Sequence, residues 1–99
     1  MEKTRLGRTG LMVTRTSFGV LPIQRVDFDT ARTILLRAHA AGINYFDTAR
    51  SYSDSEEKIG YSLANVRDEI YIATKTHARD RAGVMESIQT SLRNMRTDH

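Results

Sequence analysis

The chain has 99 residues, 39% of them hydrophobic and 27% charged, enough for one domain at most with a small core. Its net charge of +3 is spread over interleaved acidic and basic residues, which argues against a nucleic-acid-binding face. Cysteine is absent, so disulfides and thiolate metal sites are excluded; there is no apolar signal core at the start and no apolar run long enough to span a bilayer, so a cytoplasmic protein without a membrane partner is expected.

Taken in chain order, Leu6-Gly7-Arg8-Thr9-Gly10-Leu11-Met12-Val13 places two short apolar arms around a glycine-bearing turn and predicts a β-hairpin. A second β-prone run near 16–20 ends before Pro22. Asp29 is the expected cap of a helix near 30–41, with Ala31, Ile34, Leu35 and Ala38 at helical spacing and Gly42 just past its end. Residues 43–47 read as a strand. Ser53 and Glu56 have capping-box spacing and predict a helix near 55–65 whose buried stripe is Ile59, Leu63 and Val66. Residues 70–74 are β-branched and aromatic, the composition of a strand buried on both faces. Asp80 then caps a helix near 82–96, with Val84, Met85, Ile88, Leu92 and Met95 turned inward. His39 and the arginines at 67, 79, 81, 93 and 96 read as solvated surface.

After the hairpin the order is strand, helix, strand, helix, strand, helix. That alternation predicts a parallel sheet with crossover helices.

The segment Phe46-Asp47-Thr48-Ala49-Arg50-Ser51-Tyr52-Ser53-Asp54-Ser55-Glu56-Glu57-Lys58-Ile59-Gly60 is similar to the signature of the aldo-keto reductase family. There an Asp-Thr-Ala triplet closes the second barrel strand, a Tyr follows in the loop, and a Ser-Glu pair and a Gly follow in the next helix. Ala41-Gly42-Ile43, the hairpin segment from Leu6, and Ile70-Tyr71-Ile72-Ala73-Thr74-Lys75, a third strand ending in Lys, resemble the family in the same order. The resemblance runs from Leu6 to the end of the chain.

It implies an α/β fold: the N-terminal portion of a TIM-type (β/α)8 barrel, with an N-terminal β-hairpin and about three βα units. A complete barrel of that type takes about 250 residues, so residues 1–99 are expected to form an incomplete N-terminal part of a single barrel domain. The resemblance further implies NADPH-dependent reduction of aldehydes and ketones, NADH being the alternative nicotinamide, with a small-molecule carbonyl as substrate. It implies catalytic roles for Asp47, Tyr52 and Lys75, and cofactor contacts from Gly19 and Asp47. The family's catalytic His, at the far end of the fourth strand, has no counterpart: His99 falls at the start of that strand, and His77 reads as a partly exposed loop residue. Ser53 stands where the family usually has Gly after the Tyr.

The residue types suit that chemistry. Reduction of a carbonyl builds negative charge on oxygen, which then needs a proton. A phenol is a poor acid near neutrality, but an ammonium ion at about 4 Å favours the phenolate by roughly 4 kcal/mol at an effective dielectric of about 20. A carboxylate would hold that ammonium charged and oriented. Strand ends and the loops after them share one rim of such a barrel, so Asp47, Tyr52 and Lys75 are expected to converge. The 99 residues alone are expected to hold NADPH weakly, to lack turnover and to be prone to associate through an open sheet edge. The alternative from another class is a non-catalytic interaction or regulatory protein that keeps the fold, as the potassium-channel β subunits of the family do in part.

Overall fold

A computed structural model describes residues 1–99. Strands β1 (Lys3–Arg5) and β2 (Met12–Thr14) pair antiparallel, with Thr4 opposite Val13. The hairpin is therefore longer than its apolar pattern suggests. Leu6 and Leu11 are not strand arms but bracket a 3-10 turn at Gly7–Thr9, closed by the Leu6 N–H donating to the Leu11 carbonyl at 2.9 Å. Gly7 and Gly10 have φ of +55° and +76°, a region glycine enters without steric penalty. Asn44 docks the hairpin onto the main body. Its Oδ1 accepts from the Thr14 amide at 2.7 Å, and its Nδ2 donates to the Met12 carbonyl at 3.1 Å.

Strands β3 (Phe18–Gly19), β4 (Tyr45–Asp47) and β5 (Tyr71–Ala73) form one parallel sheet in that order. Helices α1 (Phe28–Ala40) and α2 (Ser55–Leu63) make the crossovers, and α3 (Arg81–Asn94) follows β5. The predicted alternation is thus present, with shorter strands. The buried cluster joins Val20 and Ile23, Ala31, Leu35 and Ala38 of α1, Phe46 at the centre of β4, Ile59 and Leu63 of α2, Ile70, and Met95 after α3. No helix is long and apolar enough to cross a membrane.

Several local expectations are corrected. Asp27, not Asp29, caps α1: it is extended, and its Oδ1 accepts from the Thr30 amide at 2.7 Å. Asp29 lies inside the first turn and accepts from the Tyr61 hydroxyl at 2.7 Å. The Ser53–Glu56 capping box does not form. Ser53 has φ +43° and turns out of the helix to donate to Gln24 Oε1 at 2.8 Å, while Glu56 points into the protein. β5 is half-buried, not buried on both faces, and forms one edge of the sheet, paired only with β4. Of the expected inward stripe, Met95 just past the end of α3 is buried and Val84 and Leu92 are half-buried, whereas Met85 and Ile88 are 49% and 45% exposed. Arg67 is not solvated surface; its guanidinium donates to Thr97 Oγ1 and to the carbonyls of Ile70 and His99. His39 is half-buried beside Glu69, 3.7 Å away.

α2 and α3 meet at Gly60. A Cβ built there would collide with the Asn94 carbonyl oxygen, so a side chain would force the two helices apart.

Candidate active site

Gly19, Asp47 and Ala73 are in register across the sheet and mark its C-terminal edge. The ladder continues past that edge. The Val20 amide donates to the Asp47 carbonyl at 2.8 Å, the Thr48 amide to Ala73 at 2.8 Å, and the Arg50 amide to Lys75 at 2.9 Å. The loops after β4 and β5 are therefore tied to each other by main chain before any side chain contributes.

Beneath the loop, Thr48 and Ser55 are fully buried. Thr48 Oγ1 donates to Ser55 Oγ at 3.1 Å, and Ser55 Oγ donates to the Val20 carbonyl at 3.1 Å. The Tyr52 and Ser55 amides close successive turns on Ala49 and Tyr52, at 3.1 and 2.8 Å. These bonds set the half-buried Tyr52 over the sheet edge.

The Lys75 ammonium donates to Asp47 Oδ2 at 2.8 Å and to the Thr48 carbonyl at 2.6 Å. It lies 5.4 Å from the centroid of the Tyr52 ring, facing the π-system. The pKa of Lys75 is raised, first by the hydrogen bond to Asp47. Partial desolvation opposes this, and the Asp47 charge and the phenol groups of Tyr52 and Tyr45 add to it. The three side chains named from the sequence thus meet on one rim: an ion pair with an aromatic face against its cation. Gly19 lies on the same edge, exposed, and a Cβ there would meet no atom within 4 Å. The rim is open at backbone height at Gly19 of β3.

The histidines stand apart from this group. His77, in the loop after β5, is exposed with Nε2 3.3 Å from Ser51 Oγ. His99 lies beside Arg67, which also bonds Ile70 ahead of β5, toward the other end of the sheet.

Two buried charges escaped the sequence reading. Glu56 and Lys58 are 1% and 2% exposed. Lys58 donates to the Ile23 and Gln24 carbonyls at 3.1 and 3.4 Å and pairs with Asp54 at 2.9 Å, fixing the 3-10 segment Leu21–Arg25 behind β3. Glu56 faces the other way, toward Arg50, Thr74 and Asn94. The signal was spacing: Glu56 precedes Ile59 and Leu63 by three and seven residues, on the apolar stripe itself.

Comparison with known proteins agrees with this architecture. The model of the aldo/keto reductase family matches residues 10–99. An aldo-keto reductase from Bacillus halodurans, solved in its holo form, superposes with a TM-score of 0.91 at 32% identity, over 100% of this chain and 38% of that one. An uncharacterized oxidoreductase of Bacillus subtilis is 30% identical over 100% of this chain and 37% of its own length. A D-galacturonate reductase of Fragaria ananassa is 34% identical over 82% of this chain and 28% of its own. The chain thus spans about a third of the length of the curated relatives it matches. Its α/β arrangement is that of part of their TIM-type barrel, without a closed barrel of its own. With the family match covering nearly the whole sequence, the chain belongs to the aldo/keto reductase family.

Proposed function

We propose that this chain carries the proton-donor part of a carbonyl-reducing site: an NADPH-dependent reductase of aldehydes and ketones, with NADH as the alternative nicotinamide. The observation that carries the reading is the meeting of Lys75 with Asp47 at 2.8 Å and with the Tyr52 ring at 5.4 Å, on the edge where Gly19 leaves the backbone open. A bound nicotinamide supplies the hydride. Tyr52 holds the proton destined for the carbonyl oxygen. Lys75 lends its positive charge to that proton transfer, and Asp47 keeps the ammonium charged and aimed. Gly19 and Asp47 are the cofactor-facing residues in this reading. The substrate is a small carbonyl compound, and a cytoplasmic location, without nucleic-acid or membrane partners, goes with it.

The relatives are two to three times longer than this segment. The 99 residues alone are proposed to hold NADPH weakly, to turn nothing over and to self-associate along the free edge of β5. The test is a chimera in which residues 1–99 replace the matching segment of the Bacillus halodurans reductase. NADPH consumption with 4-nitrobenzaldehyde is the expected result. A folded chimera that binds NADPH yet shows no turnover would overturn the reading and favour a non-catalytic member of the fold.

A further inference from the structure

Glu56 lies outside the Asp47–Tyr52–Lys75 group, yet its carboxylate reaches a neighbour of each side of it. Oε2 accepts from Thr74 Oγ1 at 2.7 Å, the residue just before Lys75. Oε1 accepts from Arg50 Nη1 at 2.7 Å, in the loop between Asp47 and Tyr52, and from Asn94 Nδ2 at 3.3 Å. Arg50 is held at its other end too, its amide donating to the Lys75 carbonyl at 2.9 Å.

These contacts close on themselves. The path runs from Glu56 through Thr74 to the Lys75 main chain, across to the Arg50 amide, and back through the guanidinium to Glu56. On the other side of Lys75, Thr76 donates to Ser87 of α3 at 2.8 Å, but that bond does not touch the Tyr52 loop. His77 Nε2 also reaches Ser51 Oγ at 3.3 Å, but both of those side chains are exposed, whereas the ring through Glu56 joins the two loops through a buried carboxylate. A carboxylate 1% exposed is unfavourable unless its bonds are made. An apolar residue on the Ile59–Leu63 stripe would serve packing as well, so packing alone does not account for Glu56.

We infer that Glu56 is a positioning residue: it locks the main chain at Lys75 to the loop that bears Tyr52, and so keeps the ammonium on Asp47 and against the tyrosine ring. A lysine side chain has four rotatable bonds, so its reach to a half-exposed partner depends on where its Cα is held. The inference rests on the reductase reading only for what is being positioned.

The test reads Lys75 itself. Its Nζ chemical shift is followed against pH by 15N NMR detected through the non-exchanging Hε protons, in the 99-residue chain and in Thr74→Val, Thr74→Ser and Glu56→Gln, each checked for folding by its amide spectrum at neutral pH. Asp47, Tyr52 and Tyr45 are the titratable groups that face Lys75. Thr74 is exposed, so its variants should fold. Thr74→Val and Glu56→Gln are expected to move the Lys75 midpoint down toward that of a free lysine, while Thr74→Ser, which keeps the hydroxyl donor, retains the wild-type midpoint. Folded Thr74→Val and Glu56→Gln chains that both keep the wild-type Lys75 titration would overturn the inference even if their Tm falls, because a purely structural carboxylate lowers Tm without moving Lys75. Failure of the reductase reading shows instead as a chimera without turnover and leaves this readout intact.

Discussion

The Lys75 ammonium stands 2.8 Å from the Asp47 carboxylate while 50% of the lysine side chain and 46% of the aspartate side chain remain open to solvent. Such a pair is accessible to a ligand and contributes little to folding, since exposed ion pairs give about 1 kcal/mol or less. Its consequences are therefore chemical more than structural.

Asp47→Asn should lower the Lys75 titration midpoint and change unfolding free energy at pH 7 by less than about 1 kcal/mol. Lys75 is raised in the folded state. Its contribution is thus fully present below the unfolded lysine value of about 10.4 and is lost as pH rises through the folded value. Urea unfolding of wild type and variant should differ near neutrality and converge at high pH.

Glu56→Ala should cost about 2–4 kcal/mol, because it strands the Arg50 guanidinium and the Thr74 and Asn94 donors. Burial pushes the Glu56 pKa up, but hydrogen bonds from Ser91, Thr74, Arg50 and Asn94 outweigh it and leave the group lowered. Its stabilisation is present above the ordinary glutamate value of about 4.3 and disappears as pH falls through the folded value. Acid unfolding of Glu56→Gln should accordingly show a shallower loss of stability below about pH 4.3 than wild type.

Gly60→Ala separates two effects of opposite sign. In an unobstructed helix the change would stabilise by about 1 kcal/mol. Here the new methyl meets the Asn94 carbonyl, and overpacking of this kind costs about 1–3 kcal/mol. A lower Tm than wild type is expected; a higher one would show that α2 and α3 yield freely.

In the chimera, Tyr52→Phe should reduce kcat by about 10²–10⁴ with little change in NADPH affinity, the pattern of a group that acts in the transition state. Collapse of cofactor affinity with kcat preserved would assign Tyr52 to binding instead.

Much of the fold was legible because it depends on local patterning. Ala31, Leu35 and Ala38 recur at helical spacing and are buried in α1, and the runs around Phe46 and Ile72 are the strands they read as. The hairpin and its glycine-bearing turn are legible, but the arms lie further out than they read, because Leu6 and Leu11 look like strand residues whereas the positive φ of Gly7 and Gly10 makes that stretch part of the bend. Ser53 and Glu56 have the spacing of a cap, but local hydrogen bonding lost to tertiary partners. Ser53 went to Gln24, 29 residues earlier, and Glu56 to Thr74, 18 residues later. The meeting of Asp47 with Lys75 followed from strand-end logic. The roles of Arg50, Thr74 and Asn94 did not, since a ring of bonds between three elements leaves no periodic trace in any one of them.

The hydrogen-bond ladder that runs on past Asp47 and Ala73 has a dynamic consequence. The amides of Thr48 and Arg50 belong to a loop, yet each is engaged by the neighbouring segment as a strand amide would be. Opening them requires parting the β4 and β5 loops, so their deuterium uptake should be slow and should track that of β4. Loops at most functional rims breathe ahead of their scaffold; here the two are expected to open as one cooperative unit, and a ligand arriving at Asp47 and Lys75 meets a surface already at rest.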